Sequence, residues 1–71
     1  MNKIDDIRKM KNLSYADIAE KAGVTSTYVF LLAKDKRKNP SLEVMQNISD
    51  ALGEKVEKVF NINTKSKQEV S

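Results

Sequence analysis

Apolar residues recur along this chain at steps of three and four, the period of helices that bury one face. Ile4, Ile7 and Met10 share one side of a first helix, with Asn2 as its cap. Asp5 and Asp6 stand in its opening turn and Lys9 and Lys11 at its end, each sign complementing the helix dipole. After Asn12 and Leu13, Ser14 is followed three positions later by Asp17. This is a capping-box spacing, with Asp where Glu or Gln is usual, and it opens a second helix reaching about Ala22. Ile18, Ala19 and Ala22 form its inner side. Gly23 has the backbone freedom for a tight turn, Val24 fits under the corner, and Thr25 caps a third helix through about Ala33.

Residues 34–40 read as a loop, because Pro40 disfavours helix at Asn39, and Ser41 caps a fourth helix that reaches Leu52 and stops at Gly53. Leu42, Met45, Ile48 and Leu52 recur at helical spacing in it and are assigned to the core. Val56, Val59 and Phe60 predict a short fifth helix, after which residues 63–71 are polar and form a tail expected to fray. No strand-like alternation of useful length occurs. The expectation is an all-α fold, with one domain over residues 1–62 and the tail at 63–71.

Composition narrows the chemistry. With 71 residues, a single small domain buries only about 60% of the surface its unfolded chain exposes, so help from a partner chain is plausible. Hydrophobic residues make up 39% and charged residues 32%, with two Gly and one Pro, which suits a compact helical domain. Cys and His are both missing. The chain therefore lacks thiolate ligands, disulfides, and the commonest metal ligand and general base. No acidic pair sets up an evident catalytic pocket, so neither an enzyme nor a metal or other cofactor is expected. The longest apolar run, residues 29–33, is far below the roughly 20 residues needed to cross a bilayer, and the N-terminus lacks the layout of a signal peptide. A cytoplasmic protein that binds no membrane and no small-molecule ligand is expected.

The net charge of +3 is concentrated in one place. Residues 34–38, Lys-Asp-Lys-Arg-Lys, hold four cations and one anion, leaving nine of each elsewhere. A basic loop immediately after the third helix is what an electrostatic footprint for phosphates requires, and equally what a solvated loop would look like. At about 100° per residue, Tyr28, Val29 and Leu32 cluster on one side of the third helix, which must be the buried one. Ser26, Thr27, Phe30 and Leu31 lie opposite.

Several fragments in fixed order carry a family resemblance: Ile4-x-x-Ile7-Arg8, Leu13-Ser14, Ile18-Ala19-x-x-x-Gly23-Val24-Thr25, Val29-x-x-Leu32, Asn39-Pro40-Ser41-Leu42, and Ala51-Leu52-Gly53 with Phe60. Together they resemble the Cro/repressor-type, Xre-like helix-turn-helix regulators, and the Tyr28 to Pro40 spacing is similar to that of SinR-like DNA-binding domains within that family. The resemblance implies a compact five-helix, lambda-repressor-like DNA-binding domain with its helix-turn-helix formed by helices two and three. It further implies that helix three enters the major groove of double-stranded DNA, as a homodimer on a palindromic operator.

Carried over residue by residue, the base-reading positions fall on Ser26, Thr27 and Leu31, with Phe30 beside them. Tyr15, where the family often has Gln, falls on a phosphate contact. Lys36, Arg37 and Lys38 are assigned to phosphates that position the domain, together with Thr25 and the amides opening helix three. Val56 and Val59 are expected to pack inward, leaving Phe60 and Ile62 for a dimer interface. Lys55 replaces the usual cap of helix five, so that helix should be short.

The family commonly pairs the Arg matching Arg8 with a Glu late in helix three, a position held here by Ala33. Arg8 is then left to stay solvated, meet a carbonyl, or pair with Asp35.

Serine and threonine hydroxyls accept or donate to several bases, whereas Phe30 and Leu31 can pack only on thymine methyls, so a T-rich half-site is the physical expectation. Phe30 could instead fold back over Lys34, and Leu31 against helix two. Two exposed apolar groups also fit a protein partner. The reading is therefore a DNA-binding transcriptional repressor, with a protein-binding module of antitoxin or antirepressor type, using Phe30 and Leu31 on a regulatory partner, as the alternative.

Overall fold

Side-chain caps start three of the five helices found in the computed structural model, which describes residues 2–60. In chain order these are α1 (Ile4–Met10), α2 (Tyr15–Ala22), α3 (Ser26–Ala33), α4 (Leu42–Leu52) and α5 (Val56–Phe60), with no strand among the described residues. Ser14, Thr25 and Ser41 accept from the amides of Asp17, Tyr28 and Val44 at 3.0, 3.1 and 3.1 Å. The Ser14 cap is reciprocal, since the Asp17 carboxylate accepts from the Ser14 amide at 3.0 Å. Each such cap contributes about 1 kcal/mol. At α1 the cap position is Lys3, without a side-chain bond; Asn2, one residue further out, still accepts from the Ile4 amide at 3.0 Å.

The first four helices all end on a left-handed residue: Asn12 (φ 62°), Gly23 (φ 75°), Asp35 (φ 59°) and Gly53 (φ 72°). Around Asn12 the Leu13 amide reaches back to the Arg8 carbonyl, and around Asp35 the Lys36 amide reaches the Leu31 carbonyl. Both closures are of Schellman type, with Asn or Asp in the place Gly usually takes. At Gly23 a Cβ would meet no atom within 4 Å, so glycine is favoured there by its positive φ alone.

Burial follows the apolar stripes. Ile4, Ile7, Ile18, Ala19, Ala22, Val29, Leu32, Ile48, Leu52 and Val59 form one core, with Leu13, Tyr15, Val24, Tyr28 and Phe60 packed around it. α2 packs on α3 and α4, while α1 lies on α4 and α5. Val56 and Val59 point inward, and α5 spans five residues.

Two core assignments are corrected. Leu42 is 58% and Met10 75% exposed. Each step of three residues falls about 60° short of a full turn. Met10 is thereby carried some 120° from Ile4, and Leu42 stands about 80° from Leu52 at the open end of α4. The expected tail at residues 63–71, and Ile62, lie outside the described residues.

Ser49 of α4 is fully buried, and its hydroxyl has no hydrogen-bond partner among the described residues. An unsatisfied buried hydroxyl costs about 1–3 kcal/mol, and Ala is also the better helix former. Ser49→Ala is therefore expected to stabilise the domain by about 1 kcal/mol, raising the thermal midpoint by roughly 4–8 °C. A lower midpoint in calorimetry would show that the hydroxyl has a partner in solution.

Candidate nucleic-acid interface

Because Val29 and Leu32 are the buried residues of α3, its exposed side carries Ser26, Thr27 and Phe30, with Leu31 half-buried at the flank. Thr25 is exposed, and its hydroxyl oxygen is engaged in capping the Tyr28 amide.

The basic loop is attached to this helix through its backbone. The amides of Lys36 and Arg37 both donate to the Leu31 carbonyl, at 2.9 and 3.2 Å, and that of Asp35 to Leu32 at 3.1 Å. Asn2 adds a hold, its side-chain amide donating to the Leu32 carbonyl at 2.7 Å and to Asp35 Oδ1 at 3.4 Å.

The loop cations do not behave alike. Lys34 Nζ is drawn back to Asp5 Oδ2 at 2.9 Å. The Arg37 guanidinium lies 5.4 Å from the centre of the Tyr28 ring, in cation–π range. Among the described residues, the ion pairs involve none of Lys36, Arg37 and Lys38. All three are exposed, and their charge is available to an anion.

Asp5 is the polar centre beside this face. Its Oδ1 accepts from the Tyr15 hydroxyl at 2.6 Å and from Arg8 Nε at 3.1 Å, while Oδ2 takes Lys34. Burial alone would raise the Asp5 carboxyl, but the three donors outweigh it and bring it from 3.8 to about 2. For Tyr15, burial and then the Asp5 carboxylate raise the phenol. The bond to Asp5 raises Lys34.

These contacts bear on the sequence reading at two residues. The Tyr15 hydroxyl donates its hydrogen bond to Asp5, so a donation from Tyr15 to a phosphate would require that bond to be exchanged. Arg8 pairs not with Asp35 but with Asp5 in its own helix, donates to the Leu13 carbonyl at 3.1 Å, and stacks 4.4 Å above the Tyr15 ring.

Phe30 stands edge-on to Tyr15, with ring centres 5.6 Å apart and planes at 86°. It is 39% exposed, with Lys34 Nζ 6.0 Å from its centre. The sequence reading missed the Asp5 hub, since an acidic residue in a first helical turn reads as a dipole partner and nothing local reveals a hydroxyl ten residues on.

Phe60 is half-buried against the core. It lines a cleft of about 470 Å³ with Asn2, Leu32, Pro40 and Met45, edged by Arg37 and Lys38. Among the described residues no group of His, Cys, Asp or Glu could hold a metal ion, and no helix is long and apolar enough to cross a membrane.

An outward α3 locked behind a Gly23 turn, with cations at its end, defines a helix-turn-helix. A helix-turn-helix family model matches residues 4–62, and the chain belongs to that family, in its Xre-like, SinR-like branch. The chain is 32% identical over 59 residues to the HTH-type transcriptional regulator SinR of Bacillus licheniformis, covering 83% of this chain and 53% of that protein. It is 34% identical over 50 residues to SinR of Bacillus subtilis (strain 168), covering 70% and 45%. With the immunity repressor protein of Bacillus phage phi105 it shares 34% identity over 67 residues, covering 94% and 46%. The chain thus spans about half the length of the curated relatives it matches. Among solved structures, a SinR protein/SinI protein complex aligns with a TM-score of 0.70 at 27% identity, over 96% of this chain and 71% of that one. These relatives are named as regulators and a repressor, not as enzymes.

The depressed Asp5 carboxyl sets an acid limit. A folded-state pKa below the unfolded one contributes stability that is complete above the unfolded value and lost as pH falls through the folded one. From 3.8 to about 2, the contribution is on the order of 2 kcal/mol. Asp5→Asn should lower stability at pH 7 by about 1–2 kcal/mol and flatten the decline between about pH 4 and 2. Urea unfolding at both ends of that window tests this, and parallel pH profiles for the two proteins would contradict it.

Proposed function

We propose that this chain is the sequence-specific DNA-binding part of a transcriptional repressor, binding double-stranded DNA through the major groove with α3. The observation that carries the reading is the pairing of an exposed Ser26–Thr27–Phe30 face with three exposed cations, in no ion pair among the described residues, on a loop hung from the same helix. Ser26, Thr27, Phe30 and Leu31 read base edges. Lys36, Arg37 and Lys38 engage phosphates, which position the domain without specifying sequence. Two copies, joined through Phe60 and Ile62, would place their α3 helices about one helical turn, roughly 34 Å, apart on a palindromic operator.

The rival reading gives the Phe30 and Leu31 face to a protein partner. Such surfaces are typically contiguous apolar patches of several hundred Å². Here Phe30 is already engaged edge-on by Tyr15, and Leu31 is half-buried. The narrow apolar area favours DNA.

Each phosphate contact lowers log affinity by about 0.9 per log unit of salt. A Lys36→Ala/Lys38→Ala double variant should therefore reduce the salt slope by about 1.8 for each bound copy, or about 3.6 for the dimer, while preserving the preferred sequence. Binding to DNA selected from a random pool, measured from 50 to 300 mM salt, tests the assignment. Affinity insensitive to salt would support the protein-partner reading instead.

A further inference from the structure

We propose that Tyr15, tethered by Asp5, is a positioning residue that fixes the Phe30 ring in the pose that reads thymine methyls. The inference rests on the reading of Phe30 as a base-facing residue. It adds that specificity depends on residues of α1 and α2 as well as α3.

The geometry forms a short relay. The Asp5 carboxylate holds the Tyr15 hydroxyl at 2.6 Å and Lys34 Nζ at 2.9 Å. Tyr15 then presents its ring to Phe30 at 5.6 Å and 86°, the edge-to-face arrangement that aromatic quadrupoles favour. Lys34 Nζ stands 6.0 Å from the Phe30 centre. Both neighbours of the ring therefore answer to one carboxylate. The Arg8 guanidinium, 4.4 Å from the centre of the Tyr15 ring, restrains the phenol further.

An outward phenylalanine on a two-turn helix would otherwise exchange among side-chain rotamers. A mobile ring still covers apolar surface, but it does so against many base steps. A ring held on one side meets a methyl at one register, so its contact discriminates.

The test uses a half-site selected from random DNA, and the same duplex with uracil replacing thymine, which removes only the C5 methyl. One methyl in a fixed contact gives about a fourfold preference for thymine. Tyr15→Leu should bring that ratio to near one and leave the salt slope unchanged. Tyr15→Phe keeps the ring edge but loses the tether to Asp5, so it should retain about a twofold preference, less than one full methyl contact. Circular dichroism at the assay temperature confirms that each variant is folded, and Tyr15→Phe carries the test if Tyr15→Leu does not fold. A folded variant with the wild-type ratio overturns the inference and leaves the DNA-binding reading intact. Wild-type binding that is salt-sensitive but indifferent to uracil removes Phe30 from the methyls, and the inference with it. Failure of wild type to bind DNA at all overturns the function.

Discussion

The burial of Val29 and Leu32 decides what α3 can offer. They are 0% and 2% exposed, three residues apart on a helix of eight, so one side of its two turns is committed to the core. Thr25 sets its beginning and the left-handed Asp35 closes its end. What remains outside is the opening turn and Phe30, with Leu31 on the flank. The chemistry of the outer face is thus a consequence of packing: no rotation of α3 could expose Leu32 without leaving a cavity costing about 2–5 kcal/mol.

A second constraint is electrostatic. α1 uses its apolar side on α4 and α5, and Asp5, beside Arg8 stacked on Tyr15, gives it a polar hold on α2 and on the residue after α3. One carboxylate serving three donors in a partly desolvated site is stronger than three separate surface pairs, because exposed pairs are worth roughly 0–1 kcal/mol each. The arrangement has a cost in charge. Lys34, the first cation of the basic loop, is turned toward the protein, leaving residues 36–38 as the outward charge.

Helix starts were legible in the sequence because a cap is a local event: Ser14, Thr25 and Ser41 lie within three residues of the amides they satisfy. Helix ends were half legible. Gly23 and Gly53 announce a left-handed backbone, whereas Asn12 and Asp35 adopt it only because the Schellman hydrogen bonds close around them. The faces of α3 followed from its period, except that Leu31 is half-buried rather than outward, while Leu42 and Met10 did not follow, since the pattern does not say where a helix runs past its neighbours. Arg8 illustrates the remaining gap. With Ala33 in place of an acidic partner, the sequence leaves three choices, and the structure takes the Leu13 carbonyl together with an unforeseen pairing to Asp5. The Tyr15–Phe30 contact joins residues fifteen apart and depends on how α2 crosses α3, which no local pattern contains.

Under the proposed reading, affinity and specificity have different chemical sources in this fold, yet they share one mechanical support. Phosphate neutralisation, the role proposed for the loop, acts at any sequence and weakens with salt. Hydroxyls and an aromatic ring act at short range, and Ser26 and Thr27 alone tolerate several bases, which leaves shape and methyl contacts to discriminate. The two sources meet at Leu31: its carbonyl takes the amides of Lys36 and Arg37, and its own turn of α3 carries Phe30. A shift of that turn would move the cations and the ring together. The loop therefore does more than add charge beside α3, because the Leu31 carbonyl that holds it belongs to the turn that carries Phe30.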